Sequence, residues 1–117
     1  KNNRTTVGIA CKNGVVIGVE NIIKSELLIR TCAKRVFRIS ENAGVAVAGW
    51  LPDARKLVEK ARGECKQYKD LYGIVIPPSQ ISDRISSFVH KNTIYSWVRP
   101  YGVSTLIGSY HNENPTL

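Results

Sequence analysis

No apolar run in this 117-residue chain approaches the roughly 18 residues that a membrane span requires, so no membrane partner is expected. Cysteine is scarce: Cys11, Cys32 and Cys65 are odd in number and widely spaced. That argues against a disulfide framework and fits a reducing compartment. There is no Cys-x-x-Cys, and neither His90 nor His111 has a ligand-like neighbour, so no metal site is expected. The glycines match neither the phosphate-binding loop nor the dinucleotide fingerprint, and Gly-x-Ser-x-Gly is absent. With only two histidines, a serine triad is not expected. His90 falls one residue off an apolar helical face and reads as structural, while His111 sits in a turn and reads as solvated. Lys1-Asn2-Asn3-Arg4 leads straight into a strand pattern, so no signal peptide is expected.

Acid is the scarcer charge, with nine Asp and Glu against seventeen Lys and Arg and a net charge of +8. The cations are dispersed, and no basic strand interleaved with aromatics is present to stack bases. Nucleic acid is therefore not the expected partner. Asn3-Arg4-Thr5 matches a glycosylation sequon, but in a reduced cytosolic protein the match is chance.

The first part of the chain reads as β structure. Thr5–Lys12 and Val15–Glu20 flank Asn13-Gly14, a hairpin turn. Ile22–Thr31 could be a turn of helix or an irregular excursion. Val36–Ile39 alternates, Glu41-Asn42 makes a turn, and Gly44–Gly49 is small and apolar on both faces, as in a central strand. The period then changes. From Pro52 the positions Ala54, Leu57, Val58, Ala61, Cys65, Tyr68 and Tyr72 form one helical face, with Pro52 and Asp53 suited to the first turn. Gly73 and Pro77-Pro78 end it. A second helix is expected from an N-cap at Ser79 to about Trp97, burying Ile81, Ile85, Phe88, Val89 and Tyr95. Arg99-Pro100-Tyr101-Gly102 then makes a fixed corner, in which Pro100 lacks an amide donor and Gly102 allows positive φ. Val103–Tyr110 is a strand, and residues 111–115 form a turn. This order is α+β: an antiparallel sheet with a helical pair on one face.

Three segments carry a specific signal: Arg4-Thr5-Thr6-Val7-Gly8-Ile9, Ala48-Gly49-Trp50-Leu51-Pro52-Asp53-Ala54-Arg55, and Arg99-Pro100-Tyr101-Gly102-Val103-Ser104. In this order and spacing they resemble the α-type subunits of the 20S proteasome. Gly108-Ser109-Tyr110, with Val19-Glu20 and Lys34-Arg35-Val36-Phe37, resembles the type-3 branch of that family. The resemblance implies an N-terminal-nucleophile hydrolase fold, an αββα sandwich. Of it, residues 1–117 would be one partial domain: the first antiparallel strands, the helical pair and the following strand, without the gating segment in front or the C-terminal half.

In the catalytic members of that superfamily a terminal threonine is assisted by an aspartate and a lysine. Anchored on Val7-Gly8-Ile9, those positions fall on Arg4, Glu20 and Arg35. Arg4 has no hydroxyl, and Arg35 stays protonated and cannot join a proton relay. The resemblance thus implies a non-catalytic, cofactor-free subunit of the outer seven-membered ring, in cytoplasm and nucleus, serving ubiquitin-dependent degradation. Its partners would be other α subunits, the β ring and regulatory particles with C-terminal carboxylate tails. The regulator pocket would use Arg35, Gly49 and Asn3, and a guanidinium can hold a carboxylate in bidentate fashion. Otherwise Arg35 is an exposed strand-end charge. Asp53, Arg55, Arg99, Pro100, Tyr101 and Gly102 are expected at ring contacts or in structural ion pairs. Lys56, Lys60, Lys66 and Lys69 would form a solvated face or meet an acidic partner. The alternative is an active threonine hydrolase exposed by processing at Thr5 or Thr6.

Overall fold

The computed structural model describes residues 4–117. Strands β1 (Thr6–Cys11) and β2 (Gly14–Val19) form an antiparallel hairpin whose two-residue turn is Lys12-Asn13, one position earlier than the expected Asn13-Gly14. An irregular stretch and a 3₁₀ turn (Arg30–Ala33) follow, so the segment that could have been helical is mostly an excursion. Next come β3 (Val36–Arg38), β4 (Ala43–Gly49), helices α1 (Leu51–Tyr72) and α2 (Pro78–Ile94), and strands β5 (Val103–His111) and β6 (Asn114–Thr116).

The strands do not make one sheet. β1 and β2 pair only with each other, while the second sheet runs β3-β4-β5-β6, antiparallel throughout. β4 is central, as its apolar faces require. Val45 and Val47 face the helices and join Leu57, Val58, Ala61, Ile81 and Ile85 in the core. The hairpin covers the opposite face, where β2 packs on β4 and β5. Glycines set that approach: a Cβ on Gly108 would lie 2.9 Å from Val15 Cγ1, and one on Gly44 would lie 3.6 Å from Ile17 Cδ1. The described residues thus supply helix, sheet and sheet in three layers, in the α+β arrangement that the resemblance implies. On the hairpin's outer face Val7, Ile9 and Val16 are exposed.

The α1 boundaries follow local chemistry. Trp50 is the N-cap, Pro52 lies in the first turn, and Gly73 closes the helix at φ 71° with its amide donating to Lys69 O at 2.8 Å. For α2 the N-cap is Pro77 rather than Ser79, because Pro78 occupies the first helical position, where a missing amide donor costs nothing. The helix stops at Ile94, and Tyr95 is exposed rather than buried. Tyr72, in the last turn of α1, is also exposed, with its ring against Tyr68. Glu64 braces the helices to each other, accepting from Lys60 at 2.7 Å and Arg84 at 2.9 Å, and these bonds hold its carboxyl below the usual range. β5 turns into β6 through Asn112 and Glu113, both at positive φ, so Pro115 lies in an edge strand rather than in a turn. No helix among the described residues is long and apolar enough to cross a membrane.

Candidate functional site

The segments singled out in the sequence meet where β4 ends, α1 begins and the corner after α2 returns. Asp53 lies in the first turn of α1 and is buried. Its carboxylate accepts both terminal nitrogens of Arg99, each at 2.7 Å, and the Gly102 amide at 3.0 Å. Bidentate guanidinium–carboxylate geometry fixes orientation as well as charge. The Arg99 bonds first, and the Gly102 amide second, hold the Asp53 carboxyl at about 2, down from 3.8.

The corner's sharp backbone is at Gly49 rather than Gly102. Gly49 has φ 114°, and a Cβ there would fall 2.3 Å from Gly102 O. Gly102 is not at positive φ. Its carbonyl accepts the Trp50 amide at 3.0 Å while its own amide reaches Asp53. Tyr101 packs its ring on Phe88, with centroids 5.5 Å apart, and Pro100 is exposed beside it.

Arg35 belongs to the same network. It is not an exposed strand-end charge: its relative exposure is 8%, and Nη1 donates to Gly49 O at 2.9 Å. Burial, and secondly the positive charge of Arg4, lower its pKa. The two pocket positions Arg35 and Gly49 are therefore in direct contact, whereas Asn3 lies outside the described residues. The Gly49–Trp50 peptide group joins two sets of hydrogen bonds, its carbonyl accepting from Arg35 and its amide donating to Gly102 O, and the Gly102 amide leads on to Asp53 and Arg99. Of the positions implied as pocket and as ring contact, Arg35, Gly49, Asp53, Arg99 and Gly102 are thus linked.

Arg4 ties the ends of the hairpin together, donating to Ile22 O at 2.9 Å and more distantly to Glu20 O and Asn21 Oδ1, both at 3.4 Å. The Glu20 carboxylate is not brought to Arg4 by these bonds; only the backbone carbonyl is, and the Glu20 amide donates to Thr5 O at 2.9 Å. Arg55 donates to Cys32 O at 2.7 Å, which anchors the 3₁₀ turn on α1 without an ion pair. The expected ion pair is realised at Arg99 alone of these two. Lys60 and Lys69 are engaged within the chain, with Glu64 and Glu41, which makes them bracing groups as much as a solvated face.

The histidines exchange their expected roles. His90 is exposed on α2, whereas His111 is half-buried, and the Asn42 side-chain amide donates to its Nδ1 at 3.1 Å. No three His, Cys, Asp or Glu side chains among the described residues could together hold a metal. Sequence reasoning gave no role to Trp50 and Trp97, which are both exposed. The available signal was their position, since each tryptophan precedes, within three residues, a partner of the Asp53–Arg99 clamp.

The proteasome subunit family model matches residues 1–117. The proteasome subunit alpha type-3 of Dictyostelium discoideum is 44% identical over 117 residues, which is 100% of this chain and 47% of that protein. That of Arabidopsis thaliana is 39% identical over 116 residues, covering 99% of this chain and 47% of its own length. That of Drosophila melanogaster is 38% identical over 114 residues, or 97% of this chain and 45% of the relative. The chain spans about half the length of the curated relatives it matches. The likeness to the type-3 branch expected from the sequence is borne out.

Proposed function

This chain belongs to the proteasome subunit family, and we propose that it serves as a non-catalytic α-type subunit in the outer ring of the barrel. The observation that carries the reading lies at two of the positions where the catalytic members place their machinery. Arg4 stands at the nucleophile position and spends its guanidinium on backbone carbonyls. Arg35 stands at the lysine position, buried against the Gly49 carbonyl. A guanidinium supplies neither a nucleophilic hydroxyl nor a base at neutral pH. Thr5 and Thr6 are held in or beside the hairpin, with Thr6 paired to Val19.

In this role the chain helps assemble the barrel with other α subunits and the β ring, restricts entry of substrates, and takes part in ubiquitin-dependent protein degradation in cytoplasm and nucleus. Regulatory particles would present their C-terminal carboxylates beside Arg35 and Gly49. Arg35 has further N–H donors beyond the one given to Gly49, and its fixed position would set the end of the pocket.

Native mass spectrometry of the complex purified through this chain tests the reading. The expected result is a four-ring particle in which the chain's amino terminus is at neither Thr5 nor Thr6. A terminus at either threonine would favour a threonine hydrolase instead, and a small free species would overturn the ring assignment.

A further inference from the structure

A cavity of about 790 Å³ opens where the start of α2 meets the β5–β6 hairpin. Alternation along β5 turns Thr105, Ser109 and His111 to the same face as Ile107, which packs against the helical core. β6 adds Thr116 opposite Ser109 and Asn114 opposite His111. Pro78, Ser79 and Ser82 of α2 form the facing wall. Among the described residues, no acidic side chain lines this cavity.

Three of the lining residues have a hydrogen-bond donor to spare. Ser109 is only 3% exposed, yet its Oγ has no partner among the described residues. A buried hydroxyl in that state is rare, because nothing replaces its lost hydration. At the start of α2, Pro77 caps without a side-chain bond and the first turn carries no acid. The Gln80 and Ile81 amides donate to Pro77 O. That leaves the Ser79 amide and hydroxyl at the positive end of the helix dipole. The third donor is set by a relay. Ser40 Oγ donates to Asn42 Oδ1 at 3.1 Å, so the Asn42 amide nitrogen faces His111 and donates to its Nδ1 at 3.1 Å. With Nδ1 accepting, the ring proton of a neutral His111 sits on Nε2, which is left as a donor.

We propose that this cavity binds a small phosphorylated molecule, whose phosphate is taken by Ser79, Ser109 and His111 at the start of α2. Spare donors without a carboxylate among them select an anion, and a phosphate has acceptor oxygens enough for all three. A metal cation would find no carboxylate to hold it. The volume is that of a small-molecule site and far exceeds what a bare ion fills. Ile85, Ile107 and Leu117 supply apolar wall for the rest of the molecule. The net charge of +8 favours the approach of an anion. None of this depends on the ring-subunit reading.

The experiment follows amide hydrogen exchange by mass spectrometry in the full-length protein, within whatever complex it purifies. Inorganic phosphate, glycerol 3-phosphate and adenosine monophosphate are titrated in turn, with potassium chloride at matched ionic strength as the control. The expected result is saturable, several-fold slowing of exchange in the first turn of α2, reached at lower concentration with an organic phosphate than with the free ion. Ser109→Ala should raise the half-saturating concentration several-fold and leave the unfolding midpoint unchanged, since Oγ bonds to nothing in the chain. His111→Phe should raise it several-fold as well. Equal half-saturation by inorganic and organic phosphate assigns the site to the free ion and overturns the organic ligand. No slowing, slowing matched by chloride, or half-saturation unchanged in Ser109→Ala overturns the proposal altogether.

Discussion

The Asp53 carboxyl titrates at about 2 because Arg99, then the Gly102 amide, favour its charged form. A carboxylate of depressed pKa contributes stability above its unfolded value, about 4, and that contribution is lost as pH falls through the folded value. Asp53→Asn should therefore lower stability at pH 7 by about 1–2 kcal/mol and flatten the loss of stability between pH 4 and 2, as measured by denaturant unfolding across pH. The three thiols should separate as sharply. Cys65 is buried, and desolvation raises its pKa, whereas Cys11 and Cys32 are exposed. A colourimetric thiol titration of the dissociated native chain should count two fast groups and a third that reacts only on unfolding.

Between elements, two close approaches decide how the layers join. At the β4–α1 junction, a side chain on Gly49 would meet the Gly102 carbonyl at 2.3 Å from a backbone with φ 114°. Neither the backbone angle nor the carbonyl can yield without breaking the Arg35 and Trp50 bonds. Gly49→Ala should cost about 3 kcal/mol or more, read as a lowered denaturant midpoint. Between the sheets the obstruction is softer, since a Gly108 side chain would press on the ends of Val15 and Ile17. Gly108→Val should cost about 1–3 kcal/mol. Amide exchange should rise in β1 and β2 while α1 keeps its protection, because the hairpin is bound to the rest by that one face.

At the scale of the whole molecule, the hairpin end that a threonine hydrolase would use is locked by Arg4 and by the Thr5–Glu20 backbone bond. Thr5→Ala and Thr6→Ala, each in the assembled complex, should leave peptide hydrolysis unchanged within error. A loss of one class of peptidase activity in either variant would count against the non-catalytic reading. Exposed apolar side chains stand on the hairpin (Val7, Ile9 and Val16), in the excursion after β2 (Leu27 and Ile29) and at the end of α1 (Leu71 and Ile74).

Much of this arrangement was legible in the sequence, where the signals act between near neighbours. Pro52, Asp53 and Gly73 place the ends of α1 through helix-end hydrogen bonds and allowed φ. The small apolar run 44–49 marks the central strand, and Arg99–Gly102 marks a corner. The motifs carrying those signals also pointed to the proteasome family. Contacts between residues far apart in the chain were decided only by the tertiary structure. Whether the hairpin extends the four-stranded sheet or stacks on it depends on Gly8, Gly44 and Gly108 lying opposite apolar side chains across a gap that no local pattern records. Arg35 is buried because the end of β4 brings Gly49 to it, and His111 is half-buried because the turn before β4 brings Asn42 to it. The demand for positive φ moved from Gly102 to Gly49 for the same reason. Local backbone physics says that the chain must turn sharply, and the packing of β4 against the returning corner says which residue takes the strain.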